Sequence, residues 1–250
     1  MEIKVLGSVS PYPKANNNCP GYLISDNNKL LLDCGSGALR FFDMKDLENL
    51  KVVISHFHKD HYSDLFSLAY ATYVYHNLGM LDKKVDVYLP SPKTKEEYID
   101  YNYITSSKEK YINYIDYDET TKIEIDNEKI SFKIAKHNIT TYYAKIENKS
   151  NKIVYSADTG YNEELIEFSK DADVLICESS FLSYQKKDNN NHLSAYEAGM
   201  IASKAHVKKL LLTHFWPEIE KQLYVKEARK VFFNTIGAEE NKVLKLERSC

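Results

Sequence analysis

The chain has 250 residues, 43% of them hydrophobic and 28% charged, with a formal net charge of −3. That balance suits a globular protein with a sizeable core and speaks against one that grips long nucleic acid through a broad basic face. No apolar run approaches the roughly 18 residues of a membrane helix, Met1 to Gly7 reads as a strand rather than a signal peptide, and Cys19, Cys34, Cys177 and Cys250 show no CxxC spacing, so a cytoplasmic protein with free thiols is expected.

Short apolar runs bounded by Gly, Asn and Asp mark strands at Ile3–Leu6, Tyr22–Ile24, Leu30–Leu32 and Val52–Ile54. From Ser63, the spacing Leu65, Leu68, Ala69, Thr72 predicts a helix. Val85–Leu89 is a strand ended by Pro90, and Thr94 with Glu97 forms a capping box that opens a Tyr-rich helical stretch running to about Tyr117. Strands follow at Lys122–Ile125, Ser131–Ala135, Thr141–Ile146, Ile153–Ser156 and Val174–Cys177, with a short helix at Glu163–Ser169 between the last two. A second capping box, Ser194 with Glu197, opens a helix that places Ala198, Ile201, Ala202 and Ala205 on one face; Leu210–Leu212 is a strand and Val225–Phe233 a closing helix. Hairpin-type strands, then a helix, then the same again: the pattern predicts an α/β protein, an αββα sandwich of two mixed sheets flanked by helices, with 1–250 as a single domain.

The chemistry concentrates in His56-Phe57-His58-Lys59-Asp60-His61, straight after a strand. In extended chain, residues two apart face the same way, so His56 and His58 can ligate one metal together while Asp60 and His61 turn toward a neighbouring position. Imidazoles with a carboxylate and no cysteine suit zinc best, with manganese or iron as alternatives. Three further ligand-type residues each lie just past a strand: His137, Asp158 and His214. His76 and His206 fall in helical patterns and are expected to be bystanders.

In this order these residues resemble the motifs of the metallo-β-lactamase superfamily of dinuclear metallohydrolases. Leu31-Leu32-Asp33-Cys34-Gly35 resembles its first motif, in which the Asp supports a ligand from behind. The resemblance implies two zinc ions, one on His56, His58 and His137, the other on Asp60, His61 and His214, with Asp158 bridging. His192-Leu193-Ser194-Ala195-Tyr196-Glu197-Ala198 is similar to a motif of the ribonuclease Z-like phosphodiesterase branch. There the His contacts phosphate or acts as general acid, which makes His192 and Asp60 the candidate catalytic residues. Cys177-Glu178-Ser179-Ser180-Phe181 stands where the branch has a run whose Glu would orient His192.

The tRNA-processing enzymes of the branch carry a long basic arm between the third-motif His and the bridging Asp; here only the 20 residues Asn138–Ala157 separate His137 from Asp158. With Val5-Leu6-Gly7-Ser8 and Asn18-Cys19-Pro20-Gly21 near the start, the chain most resembles the short, armless bacterial and phage members, including the phage anti-Pycsar proteins. That resemblance implies a homodimeric two-zinc enzyme hydrolysing cyclic mononucleotides such as cyclic CMP and cyclic UMP. The alternatives are an armless ribonuclease Z-like nuclease acting on RNA 3′ ends and a metal-binding scaffold without turnover.

The segment Tyr98–Tyr117 holds six of the 20 tyrosines. It is expected at the dimer contact, capping the active site of its own chain or of the partner, with Tyr111 or Tyr114 stacked on the nucleobase. Tyr111, Tyr114 and Ser194 are the candidate substrate contacts.

Overall fold

The computed structural model describes residues 1–26, 28–106, 111–187 and 191–247. They form two compact units, one built on Met1–Tyr117 with Glu240–Lys245 and one on Asp118–Glu239. Each unit contains one seven-stranded mixed sheet.

The first sheet comprises β1 (Glu2–Gly7), β2 (Gly21–Ser25), β3 (Lys29–Leu32), β4 (Leu50–Val53), β5 (Val85–Pro90), β6 (Ile112–Tyr117) and β14 (Val243–Lys245), in the order β14-β1-β2-β3-β4-β5-β6. Strands β14, β1, β2 and β3 pair antiparallel, and β3 to β6 pair parallel. Short helix α1 (Lys59–Tyr62) and helix α2 (Leu65–Asn77) connect β4 to β5; α3 (Lys95–Thr105) follows β5. In α2 the buried residues are Leu65, Leu68, Ala69 and Thr72, the stripe its spacing predicts.

The second sheet repeats the plan: β7 (Lys122–Ile125), β8 (Glu128–Ile134), β9 (Tyr142–Glu147) and β10 (Lys152–Tyr155) form an antiparallel meander, and β10, β11 (Val174–Glu178), β12 (Lys209–Thr213) and β13 (Thr235–Gly237) run parallel. Helices α4 (Glu163–Phe168), α5 (Ala195–Lys204) and α6 (Lys221–Ala228) supply the connections. Parallel strands buried on both faces read as continuous apolar runs, and β11 and β12 do so: Leu175, Ile176, Leu210 and Leu212 are fully buried.

Both predicted capping boxes form, at α3 and at α5. Two predictions fail. The helix expected to run to Tyr117 ends at Thr105, and Ile112–Tyr117 is strand β6, in register with β5 from Val85↔Ile112 to Pro90↔Tyr117. The Ile and Tyr side chains of that segment favour a pleated, half-buried surface over a helix; residues 107–110 between the two elements lie outside the described residues. The last helix lies at Lys221–Ala228, earlier than expected, and leaves Phe233 exposed. The three-residue strands β13 and β14 carry no sequence signal of their own. Cys19, Cys34 and Cys177 are buried free thiols, and burial pushes Cys19 up to about 12; Cys250 lies outside the described residues. No helix among the described residues is long and apolar enough to cross a membrane.

Candidate metal centre

His56, Asp158 and His214 follow the carboxyl ends of the parallel-paired strands β4, β10 and β12, where the chain turns and backbone groups are open to a ligand, while His137 follows β8 of the antiparallel meander. Three turns use a residue in the left-handed region: Asp33 (φ 56°) after β3, Ala157 (φ 45°) after β10 and His214 (φ 60°) after β12. Each costs about 1–3 kcal/mol, a strain typical of functional positions.

In the first unit, β4 delivers Ser55 and His56, and His58 caps α1. His56 Nε2 lies 3.0 Å from His58 Nδ1. Phe57, between them, is buried on the opposite side with its ring edge-on to Tyr101. The alternation expected for extended chain is therefore present. One turn of α1 brings His61 back, its ring centroid 4.1 Å from that of His56, and its Nε2 stands 3.6 Å from Asp60 Oδ2. The Ser10 hydroxyl donates to the same Asp60 oxygen at 2.7 Å. Behind them sits Asp33, fully buried. Its Oδ2 meets His61 Nδ1 at 2.7 Å, and it accepts from the Ser55 N–H at 2.7 Å and the Ser55 hydroxyl at 2.9 Å. Gly35 is required beneath this loop, because a Cβ there would lie 2.0 Å from the Asp60 carbonyl oxygen.

In the second unit, Asp158 follows β10, Glu178 ends β11 and His214 follows β12. Asp158 Oδ1 lies 3.0 Å from His214 Nε2, and its Oδ2 lies 4.0 Å from both His137 Nε2 and His192 Nδ1. His137 Nδ1 faces the Asn191 carbonyl at 3.2 Å. The buried carboxylate of Glu178 receives His192 Nδ1 at 2.8 Å, together with the Thr159 and Leu193 N–H groups and the Ser180 hydroxyl. Burial alone disfavours a charged imidazole, but the Glu178 carboxylate reverses this and holds His192 above its ordinary range, Asp158 adding to the effect. Burial likewise opposes the charge on Glu178, yet the His192 charge and hydrogen bond draw its carboxyl below the usual range. Asp158, His192 and His214 could together hold an ion, their ligand atoms lying within 4.8 Å of one another; Nδ1 of His192 is also held by Glu178.

The donor chemistry fits a metal. In tetrahedral coordination with bonds of about 2.0–2.1 Å, neighbouring ligand atoms sit roughly 3.3 Å apart; the His56–His58 and Asp158–His214 pairs come close to that spacing. Nδ1 of His61, His56 and His214 is engaged from behind by Asp33, Ser55 and Ser180, so Nε2 is the atom each ring presents to the cluster. Ser55 carried no motif that could have singled it out, and Ser180 lay in a run noted only for its Glu178.

Three candidate contacts need correction. Ser194 is 2% exposed and its hydroxyl is held in the capping box of α5 with Glu197, so it cannot face a substrate. Tyr111 precedes β6, stacks on His76 with ring centroids 3.9 Å apart, and through the parallel register stands level with the start of β4. His56 leaves the far end of β4, about 20 Å along the sheet at ~3.3 Å per residue. Tyr114 is level with Val52, mid-strand. Neither tyrosine reaches the end of its own sheet that carries the histidines. His76 bonds the Leu81 carbonyl, outside the cluster.

The Beta-lactamase superfamily domain matches residues 28–215. The chain is 34% identical to the probable metallo-hydrolase YhfI of Bacillus subtilis over 237 residues, 94% of each protein. The crystal structure of that metallo-β-lactamase fold protein superposes with a TM-score of 0.87 at 29% identity, covering 97% of this chain and 98% of the other. A ribonuclease Z of Clostridium kluyveri is 26% identical over 303 residues, 97% of both proteins. The human short-form tRNase Z shares the fold, with a TM-score of 0.75 at 17% identity over 99% of this chain and all of the other. With two mixed sheets of seven strands flanked by helices, and His/Asp clusters suited to metal ions at their strand ends, the chain belongs to the β-lactamase superfamily as a metallo-hydrolase of the metallo-β-lactamase α/β sandwich fold.

Proposed function

We propose that the chain is a zinc-dependent phosphodiesterase that opens cyclic mononucleotides, such as cyclic CMP and cyclic UMP, to nucleoside monophosphates. In this reading both units serve one catalytic domain. His56, His58 and His137 hold one cation, Asp60, His61 and His214 the other, and Asp158 joins them. The superfamily match supports this, since residues 28–215 run through both units. Two cations so held would supply a water acidic enough to be the nucleophile and draw charge from the phosphate.

The observation that carries the reading is the Glu178–His192 pair beside Asp158. Opening a cyclic phosphodiester releases a ribose alkoxide, which needs a proton. With Nδ1 held by Glu178, His192 offers Nε2 to that leaving oxygen, and its side chain is 25% exposed, accessible to a small substrate. The adjacent Glu178 and Asp158 carboxylates favour its charged form, the form that can donate.

Substrate size follows from the chain between His137 and Asp158. It is spent on β9, β10 and their turns, with no excursion that could grip a tRNA. The Clostridium kluyveri ribonuclease Z aligns over 303 residues against a chain of 250, so that relative carries segments absent here. A net charge of −3 points the same way. Cytoplasmic removal of a cyclic nucleotide signal, as by the phage anti-Pycsar proteins, is the biological role that accords with this chemistry.

With zinc or manganese supplied, cyclic CMP and cyclic UMP are expected to be cleaved faster than cyclic dinucleotides or a tRNA precursor, as read by chromatography of the products. Efficient tRNA 3′ processing at physiological salt would instead establish the nuclease reading.

We further propose a homodimer formed through the first unit. Helix α2 contains no Asp, Glu, Lys or Arg, and Tyr70 and Tyr73 are exposed on it. Tyr98, Ile99 and Tyr103 are exposed on α3. A helix apolar on both faces calls for cover, and a charge-free surface can meet its own copy without like-charge repulsion. Sedimentation equilibrium should give a dimer that Tyr70→Glu/Tyr73→Glu dissociates; a monomeric parent protein would refute it.

A further inference from the structure

We propose that Ser55 in the first unit and Ser180 in the second are positioning residues that fix the tautomers of His56 and His214, each by linking the ring to a buried carboxylate. The inference rests on the metal-binding reading above and extends it to two residues outside the proposed ligand set.

The hydrogen-bond directions follow from counting protons. Glu178 receives the N–H groups of Thr159, Leu193 and Ser180, His192 Nδ1 and the Ser180 hydroxyl on its two oxygens, at 2.8–3.2 Å. Such a gathering of donors suits an ionised carboxylate, which only accepts. The single Ser180 hydroxyl proton therefore goes to Glu178 Oε2. The lone pairs of the same Ser180 oxygen face His214 Nδ1 at 2.8 Å. Nδ1 of His214 must carry a proton, so in the neutral ring the lone pair lies on Nε2, the atom 3.0 Å from Asp158 Oδ1. The first unit repeats the arrangement. Ser55 donates its hydroxyl proton to Asp33 Oδ2 at 2.9 Å and accepts from His56 Nδ1 at 2.9 Å, so in the neutral His56 ring the lone pair lies on Nε2, the atom facing His58 Nδ1. In both units one carboxylate thus holds two histidines, one directly and one through a serine. His61 and His56 share Asp33; His192 and His214 share Glu178.

Without the hydroxyl, each ring can adopt the other tautomer, whose Nε2–H points a hydrogen where the ligand lone pair belongs. Removing an outer partner of this kind costs about 10–100-fold in metal affinity. His192 keeps its direct bond to Glu178 in a Ser180 variant, so its proton-donating role should survive there once zinc saturates.

The test uses the full chain, zinc-free and zinc-loaded. Chelator competition should show zinc bound about 10–100-fold more weakly by Ser180→Ala and Ser55→Ala, and close to the parent value by Ser180→Thr, which restores the hydroxyl. At saturating zinc, Ser180→Ala should recover most of its kcat. Imidazole ¹H–¹⁵N correlation spectra of the zinc-free parent should show His56 and His214 protonated on Nδ1, and the alanine variants should lose that preference at the affected ring. Parent spectra with Nε2–H at both rings would overturn the proposal even if every variant misfolds. Unchanged zinc affinity in folded alanine variants, or a Thr variant as weak as Ala, would overturn it too. A parent protein that binds no zinc yet shows both Nδ1–H tautomers would refute the proposed function while supporting the serine assignment.

Discussion

Asp158→Ala is expected to reduce turnover to background and to leave the purified protein with one zinc ion or none. The residue is 2% exposed and stands at the end of β10, where its two oxygens face His214 on one side and His137 and His192 on the other. On the proposed reading it is the one carboxylate common to both cations, so its loss weakens both positions at once, whereas loss of a single histidine affects one. Asp158→Asn keeps the shape and separates lost charge from lost packing. It should retain the parent's thermal unfolding temperature and still lose activity. Elemental analysis alongside the assay decides the matter. Full activity with two metals bound in Asp158→Ala would rule out a bridging role.

His192→Ala should behave differently. Its Nδ1 is bound by Glu178 and not by a ligand residue, so both metals should stay while kcat falls by about 10²-fold or more, the size expected for a lost general acid. The deficit should shrink on a nitrophenyl phosphodiester, whose leaving group departs without a proton. An equal deficit on both substrates would assign His192 to phosphate binding, and loss of metal would exclude both roles. Glu178→Gln should reproduce part of the effect, since an amide cannot supply the negative charge that raises the His192 pKa.

The ligand candidates were legible in the sequence because such chemistry is compact. His56, His58, Asp60 and His61 fall within one turn and one strand end, and His137, Asp158 and His214 each follow an apolar run that could only be a strand. Helices with strong local signals were equally readable, as the buried stripe of α2 and the capping boxes of α3 and α5 show. Local signals failed where tertiary pairing decided the outcome. The segment Ile112–Tyr117 follows a well-capped helix and reads as its continuation, but pairing with β5 makes it a strand and carries Tyr111 away from the histidines. Ser194 was given a substrate contact from a motif whose hydroxyl is consumed in starting α5. Ser10, Ser55 and Ser180 could not be found in advance, because a serine gains its role from partners that other segments deliver: Asp60, the Asp33–His56 pair and the Glu178–His214 pair.

The central claim is that this chain holds two metal ions that together open a cyclic phosphodiester. Stepwise addition of zinc to the metal-free protein, with cyclic CMP hydrolysis followed at each step, tests it most directly. The account predicts that two equivalents bind per chain and that turnover reaches its maximum only as the second is filled. Maximal turnover with one equivalent or none, or no hydrolysis of cyclic CMP with both bound, would contradict it.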